Sequence, residues 1–242
     1  MKTNELINNL ASRCDPVRPV RITARQMVLA LGLSLLWMML GVALLAAAFP
    51  GFRKSVLELQ GATAMLEWLL FLMLGLWAFF LARGTIFPGT DRPLFRWALF
   101  VAVVLGTVGL SLVSYWQWSH GNADPHAMSP GCSVVMIVFS LVPAFFFYRF
   151  LRRSVCLSFV SSITISFLSV AFLAGSGTAF VCPDNHAMHM LFSHVLPMAV
   201  GLVLAVALGY TLDRRNRNEF EHYFEDITKG KGSQGNLTKH SY

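Results

Sequence analysis

Six stretches of this chain, each about 20 residues long, are almost free of charged side chains: 27–48, 63–82, 95–116, 132–150, 155–177 and 190–211. A helix needs roughly 20 predominantly apolar residues to cross about 30 Å of hydrocarbon. A membrane β-barrel would show short alternating segments instead. These are solid apolar blocks, so helices, which satisfy their own backbone groups in lipid, are the expected spanning form. Only 13% of the residues are charged, against about 25% in soluble domains, too few to cover a globule. The expected fold class is therefore all-α, an integral membrane bundle of six transmembrane helices. Residues 26–212 form the transmembrane domain, 1–25 an N-terminal segment and 213–242 a tail, largely disordered. The stretch "ALLAAAFPG" at 43–51 has the look of a signal cleavage site. Its long polar lead and the five later spans favour a retained first helix.

Orientation follows from the distribution of Lys and Arg. With a cytoplasmic N-terminus, every one of the 19 except Arg53 and Lys54 falls on the inner side. Both termini are then expected in the cytoplasm. The net charge of +7 belongs to that inner face, where topology and anionic lipid account for it without direct nucleic-acid binding.

The same orientation gathers an unusual set of side chains outside. Loop 117–131 carries His120, Asp124 and His126, and Cys132 opens the fourth span. The stretch "VCPDNHAMHMLFSH" at 181–194 carries Cys182, Asp184, His186, His189 and His194. Cys14 and Cys156 fall on the inner side. So two cysteines face an oxidising compartment and two a reducing one. A thiolate with imidazoles suits zinc or a softer ion. On one straight helix, however, His186 and His194 stand about 12 Å apart along the axis, so a metal site needs a second element or a later helix start. The simplest reading of His120, His126, His186 and His189 is that they face water. Cys132 and Cys182 also sit at equal depth on adjacent antiparallel helices, which allows a disulfide or a reversible thiol pair provided their Cα atoms approach within about 7 Å.

The block "GCSVVMIVFSLVPAFFFYRFLRRS" followed by "VCPDNHAMHMLFSHVLP" resembles the NrsF-like inner-membrane negative regulators of extracytoplasmic-function (ECF) sigma factors. The match includes Gly131-Cys132, Pro143, Arg152-Arg153, Cys182-Pro183 and His194, and the opening "MKTNELINNLA" is also similar. The resemblance implies a multi-pass anti-sigma factor of the bacterial inner membrane, without catalytic activity, that sequesters an ECF sigma factor. It further implies that Cys132 and Cys182, accompanied by His194, sense metal or oxidative stress. These three are the candidate ligands of a transient metal ion; no other cofactor is expected. The chain departs from the family at Ser193, where an aromatic residue is expected, and at Cys156, near an expected proline.

A sigma-binding surface on such a protein must be cytoplasmic. Leu6, Ile7 and Leu10 form an apolar stripe on a short helix that fits a partner's groove, or equally a lipid surface. Phe220, Tyr223 and Phe224, with the acidic residues around them, are a second candidate. Glu67 is the one carboxylate inside a span. Ser158, Ser161, Ser162, Thr164, Ser166 and Ser169 make the fifth span rich in hydroxyls, as interhelical hydrogen bonding requires. A quinone-coupled thiol oxidoreductase and a small transporter are the alternative readings. The first lacks a C-x-x-C pair, and the second lacks an inverted repeat with broken helices.

Overall fold

The structure, a computed structural model, describes residues 23–49, 61–86, 93–120, 130–153, 158–182 and 187–228. Leu6, Ile7, Leu10, His126, His186, Cys14 and Cys156 lie outside the described residues, as do the side chains of Glu67, Phe220, Tyr223 and Phe224. The described residues form six long helices and no strand. They are α1 (Ala24–Ala48), α2 (Gly61–Ile86), α3 (Pro93–Ser119), α4 (Pro130–Arg153) and α5 (Phe159–Val181). The sixth, α6, begins as Ala187–His189, widens into a π-helix over Met190–Val195 and continues as Leu196–Thr228.

Five of the six are long and apolar enough to cross a membrane. The remaining helix, α3, expected to be the third span, has 27 residues; among the described residues its apolar stretch runs over Leu94–Gly106. One difference lies at the C-terminal side. The chain stays helical to Thr228, so the first half of the expected disordered tail extends α6.

Local sequence explains where the helices begin. Thr23 and Gln26 form a capping box on α1: Thr23 Oγ1 accepts the Gln26 N–H at 3.3 Å, and the Gln26 side chain accepts the Thr23 N–H at 3.0 Å. Two orphan donors are thereby satisfied. At the start of α5 the amides of Phe159, Val160 and Ser161, which have no carbonyl within the helix to bond, all find partners. Ser158 Oγ accepts the Ser161 N–H and Ser158 O accepts the Ser162 N–H. The Phe159 and Val160 amides donate to the Asp213 carboxylate of α6. A helix end taken out of water needs this full accounting.

Helix α5 is the centre of the bundle. Of its apolar window 61% is buried, against 22–28% for the other spans, and it packs on α1, α2, α4 and α6. Its small and hydroxyl side chains let neighbours approach closely, the usual basis of helix association in lipid. A Cβ on Gly75 of α2 would lie 2.9 Å from the Leu173 backbone nitrogen, and beside it Ser169 Oγ donates to Gly75 O at 3.1 Å. Ser162 donates to Thr85 O in the same seam. Of the expected hydroxyls, Ser161, Ser162 and Ser169 bond between helices, whereas Ser158 caps its own helix and Thr164 and Ser166 find no hydrogen-bond partner. On the outer sides of the bundle Leu36, Leu44, Trp97, Val203 and Leu204 stay exposed, an apolar surface suited to acyl chains.

Candidate functional site

Three helices converge where α5 ends. Cys132 sits in the first turn of α4. Cys182 is the C-cap of α5, its N–H bonded to Thr178 O at 2.9 Å. His189 closes the short first piece of α6, and His194 lies in the π turn. The two sulfurs are 3.4 Å apart. His189 Nε2 lies 3.1 Å from Cys182 Sγ, and its Nδ1 faces Ser193 Oγ at 3.4 Å. The rings of His189 and His194 meet nearly edge to face with centroids 5.6 Å apart. One ligand atom from each of Cys132, Cys182, His189 and His194 falls within 4.8 Å of all the others.

All four side chains are buried, His194 completely. Neither of its ring nitrogens has a hydrogen-bond partner. A buried polar group left without a partner costs about 1–3 kcal/mol.

The π turn is what brings the two histidines together. In a regular α-helix residues five apart point about 140° away from one another. Pro197 explains why the helix is not regular here. It has no N–H to give the Ser193 carbonyl four residues earlier, and its ring crowds that oxygen. The turn opens, Leu196 N–H bonds back to Leu191 O across five residues, and Ser133 Oγ donates to Ser193 O at 2.9 Å. Ser133 is the neighbour of Cys132, so the hydroxyl that repairs the helix also docks α4 against it. Such bulges are frequent at functional positions.

The geometry brings together Cys132, Cys182 and His194, and corrects the expectation for His189. His189 does not face water: it is buried between Cys182 and Ser193. A straight helix could not supply two ligands five residues apart, and the signal for the widened turn was Pro197 following Ser193 by four. His120 does stay exposed, with its Nδ1 2.8 Å from Trp116 O, apart from the cluster.

An all-helical bundle with membrane-length spans, closed around a buried pair of thiols and a pair of imidazoles, defines a polytopic membrane protein with a thiol centre. A family model described as negative regulator of sigma F (NrsF) matches residues 10–214. The chain belongs to this NrsF family, whose description makes it a negative regulator of a sigma factor. Neither a curated protein nor a solved structure matches the chain.

Proposed function

We propose that this protein is an anti-sigma factor of the bacterial inner membrane, holding an ECF sigma factor at the cytoplasmic face and releasing it when Cys132 and Cys182 react with a metal or an oxidant. The observation that carries this reading is the 3.4 Å separation of the two sulfurs, on two different helices of the central packing unit. Any chemistry that joins them or inserts between them changes how α4 and α5 meet.

The path to the far end is short. Helix α5 carries Cys182 at one end and, at the other, its first amides bound to Asp213 of α6. A shift of α5 against α6 therefore reaches the segment after Asp213, which is basic at Arg214, Arg215 and Arg217. In this reading both termini are cytoplasmic, so Leu6, Ile7 and Leu10 offer the sigma-binding stripe on the same side of the membrane as this end. Moving such a switch from 1:99 to 99:1 takes about 5.5 kcal/mol of differential affinity, within the range of thiolate–metal ligation and of disulfide exchange.

The test is mild-detergent purification of the tagged protein from its host, with co-purifying proteins identified by mass spectrometry. A sigma factor should be retained by the full chain, lost on deletion of residues 1–20, and released by oxidant from wild type but not from Cys132→Ser or Cys182→Ser. Retention of no sigma factor, or equal release from all three proteins, overturns the proposal.

A further inference from the structure

The geometry points to a closed tetrahedral site for one divalent zinc-class cation, with Cys132, Cys182, His189 and His194 as its four ligands and Ser193 as the group that orients His189. This deepens the sensing reading above by specifying what the thiol centre holds, and it rests on that reading only for its regulatory meaning.

Three independent observations carry it. The first is the donor set. Around an ion at zinc–sulfur and zinc–nitrogen distances of about 2.3 and 2.0 Å, tetrahedral ligand atoms stand about 3.3–3.8 Å apart. The observed 3.4 Å between sulfurs and 3.1 Å from Cys182 to His189 are each a few tenths of an ångström shorter than the matching tetrahedral edges and open on binding. No separation in the set exceeds 4.8 Å, so side-chain adjustment brings all four atoms to one ion. The second is His194, fully buried with both ring nitrogens lacking a hydrogen-bond partner; a metal bond would satisfy one of them. The third is the arrangement at His189. Its Nε2 faces the cluster and its Nδ1 faces Ser193 Oγ, the arrangement in which an outer hydroxyl fixes the tautomer of a ligating imidazole.

Charge selects the ion. Two thiols bind as thiolates, each losing its proton to solvent, and two imidazoles bind neutral. A divalent ion then makes the site electrically neutral, which a buried location with no other charged group in the set requires. A monovalent ion would leave a net negative charge there, and a trivalent one a net positive charge. With four protein ligands there is no open position, the signature of a structural rather than a catalytic ion.

The experiment uses the full chain, purified under reducing conditions in mild detergent. Bound zinc is measured by elemental analysis, and Co²⁺ is then exchanged in for spectroscopy. The expected result is one zinc per chain. Co²⁺ should show tetrahedral ligand-field bands and a thiolate-to-metal charge-transfer band, with two protons released per ion. His189→Ala and His194→Ala should fail to retain zinc through gel filtration. Ser193→Ala, which keeps every ligand and removes only the outer hydroxyl, should weaken zinc binding by about 10–100-fold. Reduced wild-type protein that takes up neither Zn²⁺ nor Co²⁺ overturns the proposal. Both histidine variants, monodisperse and binding zinc as tightly as wild type, overturn it equally. Sigma-factor retention is scored on the same samples. Retention without zinc removes the metal site alone, and zinc without a sigma factor removes the regulatory reading alone.

Discussion

Asp213 accepts the backbone N–H of Phe159 at 2.7 Å, with Val160 sharing the other carboxylate oxygen at 3.3 Å. The carboxylate belongs to α6, but the helix that it caps is α5. Close by, a Cβ on Gly209 would meet the Val160 Cα at 2.7 Å, so the two backbones touch one turn away from the cap. The Asp213→Ala variant leaves two amides of α5 unsatisfied and should lose about 1–2 kcal/mol of stability. Hydrogen exchange at Phe159 and Val160 should quicken, while protection near Leu173 persists. Unchanged exchange at both amides would show that the cap holds nothing.

The two thiols should form an intramolecular disulfide under mild oxidation. The sulfurs stand 3.4 Å apart and need to close to about 2.05 Å, a movement within side-chain reach. Alkylation followed by mass spectrometry should label Cys132 and Cys182 before treatment with diamide and neither afterwards. Each single serine variant should keep its remaining thiol alkylatable. Full labelling of the wild type after oxidation would exclude the pair as a redox switch.

Pro197→Ala restores the missing N–H to the Ser193 carbonyl and removes the reason for the π turn. The variant should gain stability, by up to about 3 kcal/mol, and lose the convergence of His189 and His194. Alkylation of Cys182 should accelerate as His189 leaves it. A variant that melts higher and alkylates at the wild-type rate would separate the proline from the cluster.

His194→Leu replaces an unpartnered buried polar ring with an apolar side chain. In chelator-treated, reduced protein it should be neutral or stabilising by about 1–3 kcal/mol. After zinc addition the wild type should overtake it, because ligand binding adds stability only to the protein that binds. Melting temperatures of both proteins, with chelator and with zinc, give the comparison; identical zinc shifts would contradict the expectation.

The seam between α2 and α5 tests what packs the bundle. Gly75→Ala drives a methyl against the Leu173 backbone and should cost about 1–3 kcal/mol by overpacking. Ser169→Ala removes one interhelical hydrogen bond, worth about 0.6 kcal/mol in membrane proteins. Denaturation in detergent should rank the variants in that order. The reverse order would place polar bonding above close packing in this seam.

The apolar blocks by themselves determined an all-helical bundle with membrane-length elements, because only internal backbone hydrogen bonding tolerates lipid. Helix content came from local composition, and so did the hydroxyl seam along α5, whose Ser162 and Ser169 bond between helices as their density suggested. Cys132 and Cys182 were legible as a pair at equal depth on neighbouring spans, and the resemblance to the NrsF-like regulators added His194. Tertiary structure decided the rest. It carried α6 on through Asp213 to Thr228. It also turned His189 inward. That last point depended on a helix register that no regular period describes: Pro197 removed one hydrogen bond, Ser133 from another helix replaced it, and the widened turn set two imidazoles against two thiols. A repair supplied by a residue 60 positions away leaves no periodic trace in the chain, so only the folded arrangement of α4, α5 and α6 could disclose it.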